Sequence, residues 1–262
     1  MARAGRYLYA AVYLVVLYVP ILLIALFSFS SAVYVAFPIK GWTFNWYAVM
    51  ASSSGLLDAL GNSLIVATIA SLTSTAIGTL AALAFARHQF AGRSAFGFLM
   101  LLPLALPVVV VGVALLSVLM LAGFRLSLLT VALGHVVVCT PFAFGVMNSR
   151  LAGLNPDYEL ASADLGEPPS VTFWRVTVPL ALPGIIASLL LTFTVSFDEF
   201  ILSFFLSSNS PTLPVFMWSQ MRFPDRLPMV LALATVILCV TCAAIVSVFA
   251  LRGRDTVREH AA

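Results

Sequence analysis

Six stretches of the chain, about 9–31, 61–86, 97–121, 127–148, 180–206 and 229–251, are apolar almost without interruption, and the polar residues gather between them. Each approaches the ~20 residues that an α-helix needs to cross a bilayer core. The pattern predicts an all-α integral membrane protein, a single transmembrane domain over residues 1–262 with six spans. The segment 150–179 between the fourth and fifth spans is the longest polar interruption late in the chain. The first apolar stretch, which follows Arg3 and Arg6, outruns the 7–15 apolar residues of a signal peptide and is expected to stay as an anchor.

Composition agrees with this reading, because 62% of residues are hydrophobic and 9% are charged, against about a quarter charged in soluble domains. Basic residues orient the spans, since short loops rich in Lys and Arg stay in the cytoplasm. Six spans put both termini on one side. That side carries Arg3, Arg6, Arg87, Arg93, Arg150, Arg175, Arg252, Arg254 and Arg258, whereas the other carries Lys40, Arg125, Arg222 and Arg226. The termini are therefore expected in the cytoplasm. Topology accounts for the net charge of +3, so nucleic acid is not an expected partner, while membrane lipid is.

Several chemistries are disfavoured. The single lysine, Lys40, follows Ile39, so the chain has no phosphate-cradling G-x-x-x-x-G-K-[ST] loop, and it also lacks H-E-x-x-H and G-x-S-x-G. Cys139, Cys239 and Cys242 all fall in predicted spans, and the C-x-x-C spacing of the last two lacks a second ligand pair, so all three are read as buried packing. His135 is the one histidine inside a span; hydrogen bonding to a neighbouring helix is the plainer account of it and a functional role the alternative.

The loop "NSRLAGLNPDYELASADLGEPPSVTFWRVTVPLALPGI" predicts a short helix of its own. Asn155 can cap it, Pro156 suits its first position, Asp157 and Glu159 favour its positive end, and Gly166 can close it in a left-handed conformation. "EPPS" then breaks the chain, and Ser170 starts a second short helix through "VTFWRV" before Pro179 and Pro183 lead into the fifth span. Leu160, Ala161, Ala163, Leu165 and Trp174 are more apolar than a solvated loop requires, which suggests a docking surface.

This run resembles the cytoplasmic signature of importer permeases of the ATP-binding-cassette (ABC) class: Glu-Ala-Ala, three residues, Gly, nine residues, Ile-x-Leu-Pro. Gly166 matches the glycine and "VTVP", Val176 to Pro179, the ending. The first three positions fall on Leu160, Ala161 and Ser162, so leucine replaces the glutamate, and Glu159 or Asp164 is left as a substitute acid. The resemblance implies the fold of a type I importer permease, with the helix before Gly166 as the coupling helix seated on a cytoplasmic ATPase. "GNSLIVAT", "GHVVVCTPFAF", "SFDEF" and "TLPVFMWSQMRF" are similar to the spermidine/putrescine branch, specifically its second permease subunit. Implied partners are a homologous permease subunit, a dimeric cytoplasmic ATPase that binds ATP and Mg²⁺, and an extracytoplasmic solute-binding protein. This chain would itself hold no cofactor or metal and would not be an enzyme. The implied location is a bacterial inner membrane.

A polyamine is a flexible polycation, so its route should offer carboxylates and aromatic faces. Asp198 and Glu199, in the expected fifth span, are the only acids within a span, and "GWTFNWY" supplies Trp42, Phe44, Trp46 and Tyr47 in an outer loop. Those aromatics also fit an interfacial belt, while by resemblance Trp46 is the best substrate candidate among them. Adjacent helical residues point ~100° apart, so Asp198 and Glu199 cannot share a seam unless the helix breaks. Thr192, Ser196, Glu199 and Ser203 form one polar stripe, expected to face the translocation pathway. Asp198 is expected to face elsewhere, to hold the outer end of the span, pair with Arg222 or Arg226, or meet the partner permease. The alternatives are the same importer class carrying a different small solute, or an ion-coupled secondary carrier, though such carriers show paired repeats and broken helices near the midplane. Gly166→Asp is predicted to abolish transport while membrane insertion and assembly persist; wild-type transport in that variant would sink the coupling-helix assignment.

Overall fold

The computed structural model describes residues 2–259, and the side chains of 5–7 and 9–243. Among the described residues the chain is almost wholly helical: α1 (Ala2–Phe27), α2 (Asn45–Ala51), α3 (Ser54–Arg87), α4 (Arg93–Ala105), α5 (Val108–Leu121), α6 (Leu128–Ala152), α7 (Asp157–Asp164), α8 (Pro169–Thr172), α9 (Val178–Phe197), α10 (Ile201–Leu206), α11 (Leu213–Gln220) and α12 (Leu227–Glu259). A π-helical turn over Phe173–Thr177 joins α8 to α9. Five helical segments are long and apolar enough to cross a membrane, and α4 with α5 makes a sixth if that pair counts as one span.

The chain divides into two compact units, Met1–Leu57 with Met217–Ala262, and Asp58–Phe216. In the first, α12 contacts α1 and α2. The loop after α1 closes on itself through an antiparallel bridge between Ser30 and Trp42. Here the Phe29 ring stacks on Tyr47 at 5.2 Å and meets Phe44 edge-on at 5.3 Å.

The second unit is organised around α6. Val131, His135, Cys139, Phe144, Met147 and Leu151 are among its many buried residues, while Leu129, Leu133 and Val137 leave an exposed stripe along its first half. Its neighbours are α4, α9, α10 and α5. Val66 of α3, Val111 of α5, Val131 and Val138 of α6 and Leu202 and Leu206 of α10 form one cluster; Ala82, Phe144, Met147, Leu151 and Ala181 form another. Close approach depends on glycine. A Cβ at Gly78 would lie 2.6 Å from the Cβ of Ala143 and 2.7 Å from the backbone nitrogen of Phe144, so α3 and α6 touch nearly backbone to backbone.

Four expectations change. The apolar run 97–121 is not one straight span, because α4 and α5 meet at 104°. Pro107 provides no N–H and holds Leu106 extended, at φ −97° and ψ 141°, which ends α4 one residue earlier. The run 180–206 is also broken, at Asp198–Phe200, between α9 and α10. Conversely, Pro179 and Pro183 do not separate the second short helix from the fifth span. Pro179 stands just after the π turn of Phe173–Thr177, and Pro169–Phe197 runs as one 29-residue helical segment. Of the cysteines, Cys139 is buried as expected, whereas Cys239 and Cys242 lie on the exposed side of α12.

The glycine contact gives a measurable consequence. Gly78→Ala is expected to destabilise the detergent-solubilised protein by about 1–3 kcal/mol, because α3 must move off α6. Gly145→Ala, which meets nothing within 4 Å, should be neutral or slightly stabilising through helix propensity. Thermal unfolding of the two variants side by side checks the difference.

Candidate functional site

Two regions hold the residues singled out by sequence. In the first, α7 begins after an Asn155 turn in which the Asp157 N–H donates to Asn155 Oδ1 at 3.0 Å. It ends at Gly166, whose φ of 84° is left-handed. The N–H of Glu167 donates to the Ser162 carbonyl at 3.2 Å and the N–H of Gly166 to the Ala163 carbonyl at 2.9 Å, the paired closure that a left-handed glycine permits. Both ends of this short helix are therefore fixed as the sequence predicts.

Glu159 and Leu160 point in different directions from α7. Glu159 turns toward the rest of the unit: Arg87 Nη2 donates to its Oε1 at 3.2 Å, and Thr177 Oγ1 donates to the same oxygen at 2.9 Å. Arg87 Nε lies 3.1 Å from Oε2, a close ion-pair distance without the alignment of a hydrogen bond. Leu160 is 61% exposed and Leu165 84% exposed, and Ala161 and Asp164 are exposed beside them. The open face of α7 thus presents leucine and alanine with two acids, Asp157 and Asp164. The Ser162 hydroxyl is bonded to Thr172 of α8 at 2.8 Å.

The second region is the break between α9 and α10. Glu199 does not project from the helix; its Oε1 accepts the N–H of Ile201 at 2.8 Å and of Leu202 at 3.1 Å. The carboxylate thereby satisfies two backbone donors that the start of α10 would leave unpaired. Asp198, at the C-terminal cap of α9, is exposed. The break is what allows two adjacent acids to take such different surroundings.

The rest of the polar stripe faces inward, contrary to the expectation that it lines the pathway. Thr192, Ser196 and Ser203 are buried within the unit. His135 of α6, 1% exposed, reaches Ser196 Oγ through Nδ1 at 2.7 Å and Ser203 Oγ through Nε2 at 3.0 Å. The Ser203 hydroxyl donates to the Glu199 carbonyl at 2.9 Å, so it accepts at Nε2–H. In a neutral imidazole Nδ1 then accepts from Ser196. His135 therefore fastens the last turn of α9 and the first turn of α10 to one helix. Thr75 of α3 adds contacts to Ser188 at 3.2 Å and Thr192 at 3.4 Å. Of the two accounts of His135, hydrogen bonding to a neighbouring helix is the observed one.

Trp46 sits in the other unit. Its indole N–H donates to the Ser30 carbonyl at 2.8 Å, and its ring borders a cleft of about 430 Å³ with Gln220, Asp225 and Arg226. Arg226 donates to Gln220 at 2.8 Å, and the guanidinium of Arg222 lies over the Trp218 ring at 4.0 Å. The arginines considered as partners for Asp198 thus have contacts of their own.

Sequence reasoning missed Arg87, Thr177 and Thr75, and did not identify Ser196 and Ser203 as the partners of His135. None is signalled by local spacing, because each partner lies at least 60 residues away along the chain or across a turn that periodicity does not register. One signal was present: the four quoted strings pair up in space. Asn62 of "GNSLIVAT" donates to the Pro211 carbonyl at 3.0 Å and Ser63 accepts the Leu213 N–H at 2.8 Å, at the start of "TLPVFMW". "GHVVVC" and "SFDEF" meet at His135 and Ser196.

The chain is similar to known proteins over most of its length. The profile described as binding-protein-dependent transport system inner membrane component matches residues 74–253. The chain is 34% identical over 230 residues to the putrescine transport system permease protein PotI of Escherichia coli K12, covering 85% of this chain and 81% of that one. It is 32% identical over 231 residues to the spermidine/putrescine transport system permease protein PotC of Haemophilus influenzae, covering 88% and 89%. Among solved structures, a bacterial ABC transporter that imports alginate superposes with a TM-score of 0.74 at 15% identity, over 93% of this chain and 94% of that one, which speaks to fold alone. With its central α6, its rigidly ended α7 and a match across most of its length, the chain belongs to the binding-protein-dependent transport family of inner-membrane proteins, as a multi-pass permease subunit of an ABC importer rather than its ATPase.

Proposed function

We propose that the chain forms half of the translocation pathway for a small organic polycation of the putrescine and spermidine type. Its relatives PotI and PotC are named for those solutes. The exposed Asp198 beside the backbone-bound Glu199 is the observation that carries the reading. A carboxylate free of intramolecular demands is available to an ammonium group, whereas Glu199 is committed to the start of α10. The Trp46 ring is of the kind that can make cation–π contact, and Ser196 acts indirectly, through His135 and the shape of the break.

In this reading a second homologous permease subunit completes the pathway, a solute-binding protein delivers the cation from outside, and a dimeric ATPase binds ATP and Mg²⁺ in the cytoplasm. Both termini and α7 lie on the cytoplasmic side, in accord with the distribution of arginines. The face of Leu160, Ala161, Asp164 and Leu165 rests on the ATPase, and leucine at position 160 makes that contact apolar where the family signature has an acid. ATPase closure then moves α7 and the helices tied to it, and the permease pair alternates between inward-facing and outward-facing states. Family membership favours this mechanism over an ion-coupled carrier.

Asp198→Asn is expected to lower uptake of labelled spermidine by tenfold or more, as loss of a charged contact worth about 1.5–3 kcal/mol implies. Glu199→Gln keeps an oxygen that can accept the same two N–H groups, so its effect should be several times smaller. Uptake by cells expressing the full importer, at matched permease levels, checks the ranking. The reverse order would return the pathway role to Glu199.

A further inference from the structure

Polar ties and empty space together single out the junction between α7 and α3. Among the described residues, the hydrogen bonds and ion pair that join α7 to the last turn of α3 converge on Glu159, which receives Arg87 there and also Thr177 from the π turn leading into α9, while Ser162 of α7 is bonded to Thr172 of α8. Around them the packing is open. A cleft of about 370 Å³, bordered by Leu83, Arg87, Glu159, Glu167 and Thr177, separates α7 from the end of α3. The ionic contact spans this cleft and so offers a direct route by which a displacement of α7 reaches α3. Both members are largely shielded, with side-chain exposures of 19% for Arg87 and 25% for Glu159. Shielding of this degree leaves the attraction less screened by salt than a surface pair.

The connection continues along α3. Thr75 lies twelve residues before Arg87, about 18 Å along the helix, and is bonded to Ser188 and Thr192 of α9. Glu159 therefore holds the end of α3 and the entry to α9, and Thr75 joins the same two helices again deeper in the unit. Four hydrogen bonds close a frame with α7 at its base.

We propose that Arg87 and Glu159, with Thr177, form the latch that converts movement of α7 into joint movement of α3 and α9. Glu159 is thus a positioning residue of the coupling mechanism, not a contact of the docking face. The inference rests on the reading of α7 as the helix seated on the ATPase. It differs from a merely structural role in what it predicts: weakening the latch separates ATP hydrolysis from transport without detaching the ATPase.

The test uses the complete importer, both permease subunits with the ATPase and the solute-binding protein, reconstituted in vesicles, and reads solute transported per ATP hydrolysed. Arg87→Gln and Glu159→Gln are each expected to lower that ratio by about fivefold or more, the lower bound of a typical coupling energy, with the ATPase still co-purifying. The exchange Arg87→Glu with Glu159→Arg should recover a substantial part of what Arg87→Glu alone loses. Thr177→Val keeps both charges and should lower the ratio by a smaller factor, which provides a readout if the charge variants fail to assemble. Wild-type ratios in both Gln variants, no recovery in the exchange, or an unchanged ratio in Thr177→Val would overturn the latch. Loss of the ATPase from both Gln variants would overturn it too, by moving Glu159 onto the docking face. Leu160→Arg separates the two levels: if the ATPase stays bound at wild-type strength in that variant, the docking reading itself fails, whatever the Arg87 variants do.

Discussion

Apolar side chains gain little by leaving lipid for protein, so helices in a membrane associate through close contact and buried hydrogen bonds rather than through exclusion of water. Around α6 both means operate. Gly78 lets α3 approach to backbone contact, Gly184 makes room for Arg150, and Arg150 then donates to the Leu180 carbonyl at 2.6 Å. Gly134 accommodates Leu206 of α10. His135, Thr75 and Thr130 add hydrogen bonds along the same seams, Thr130 reaching the Leu206 carbonyl at 2.9 Å. Hydroxyls that look like a pathway lining on a helical wheel are used here to hold helices together.

That arrangement makes broken helices tolerable. A backbone freed from its ladder inside a bilayer needs other partners, and at Asp198–Phe200 they are supplied by Glu199 toward Ile201 and Leu202, while His135 anchors the turns on either side. Asp198 is left at the corner, exposed and uncommitted to the cap. At the other functional region, Asn155 and Gly166 close α7 by local hydrogen bonds, and Glu159 ties it to the long helices. Local geometry fixes both ends of α7, and Glu159 joins it to Arg87 of α3 and to Thr177.

The features legible in the sequence were those set by neighbours a few residues apart. Apolar run length located the spans, and Asn155, Pro156 and Gly166 marked the bounds of α7 to within two residues. The bend at Leu106–Pro107 was also locally encoded, in "PLALP", but uniform hydrophobicity concealed it. Contacts between distant segments were not legible. A period of 3.6 residues puts Thr192, Ser196 and Ser203 on one face without saying whether α6 or a solute meets that face. Nor does it distinguish Glu159, turned toward Arg87, from Leu160, which is open to a partner. The resemblance to importer permeases named the function class because its motif lies on α7, where local rules also suffice.

The central claim is that this chain moves its solute through ATP hydrolysis by a partner, with α7 as the point of contact. Reconstituting the two permease subunits with their ATPase in vesicles, adding the solute-binding protein and labelled spermidine on the opposite face, and comparing ATP with a non-hydrolysable analogue at zero ion gradient tests it directly. Accumulation that requires both hydrolysable ATP and the binding protein is the predicted result. Equal uptake with the analogue, or uptake that appears only when a proton or sodium gradient is imposed, would contradict it.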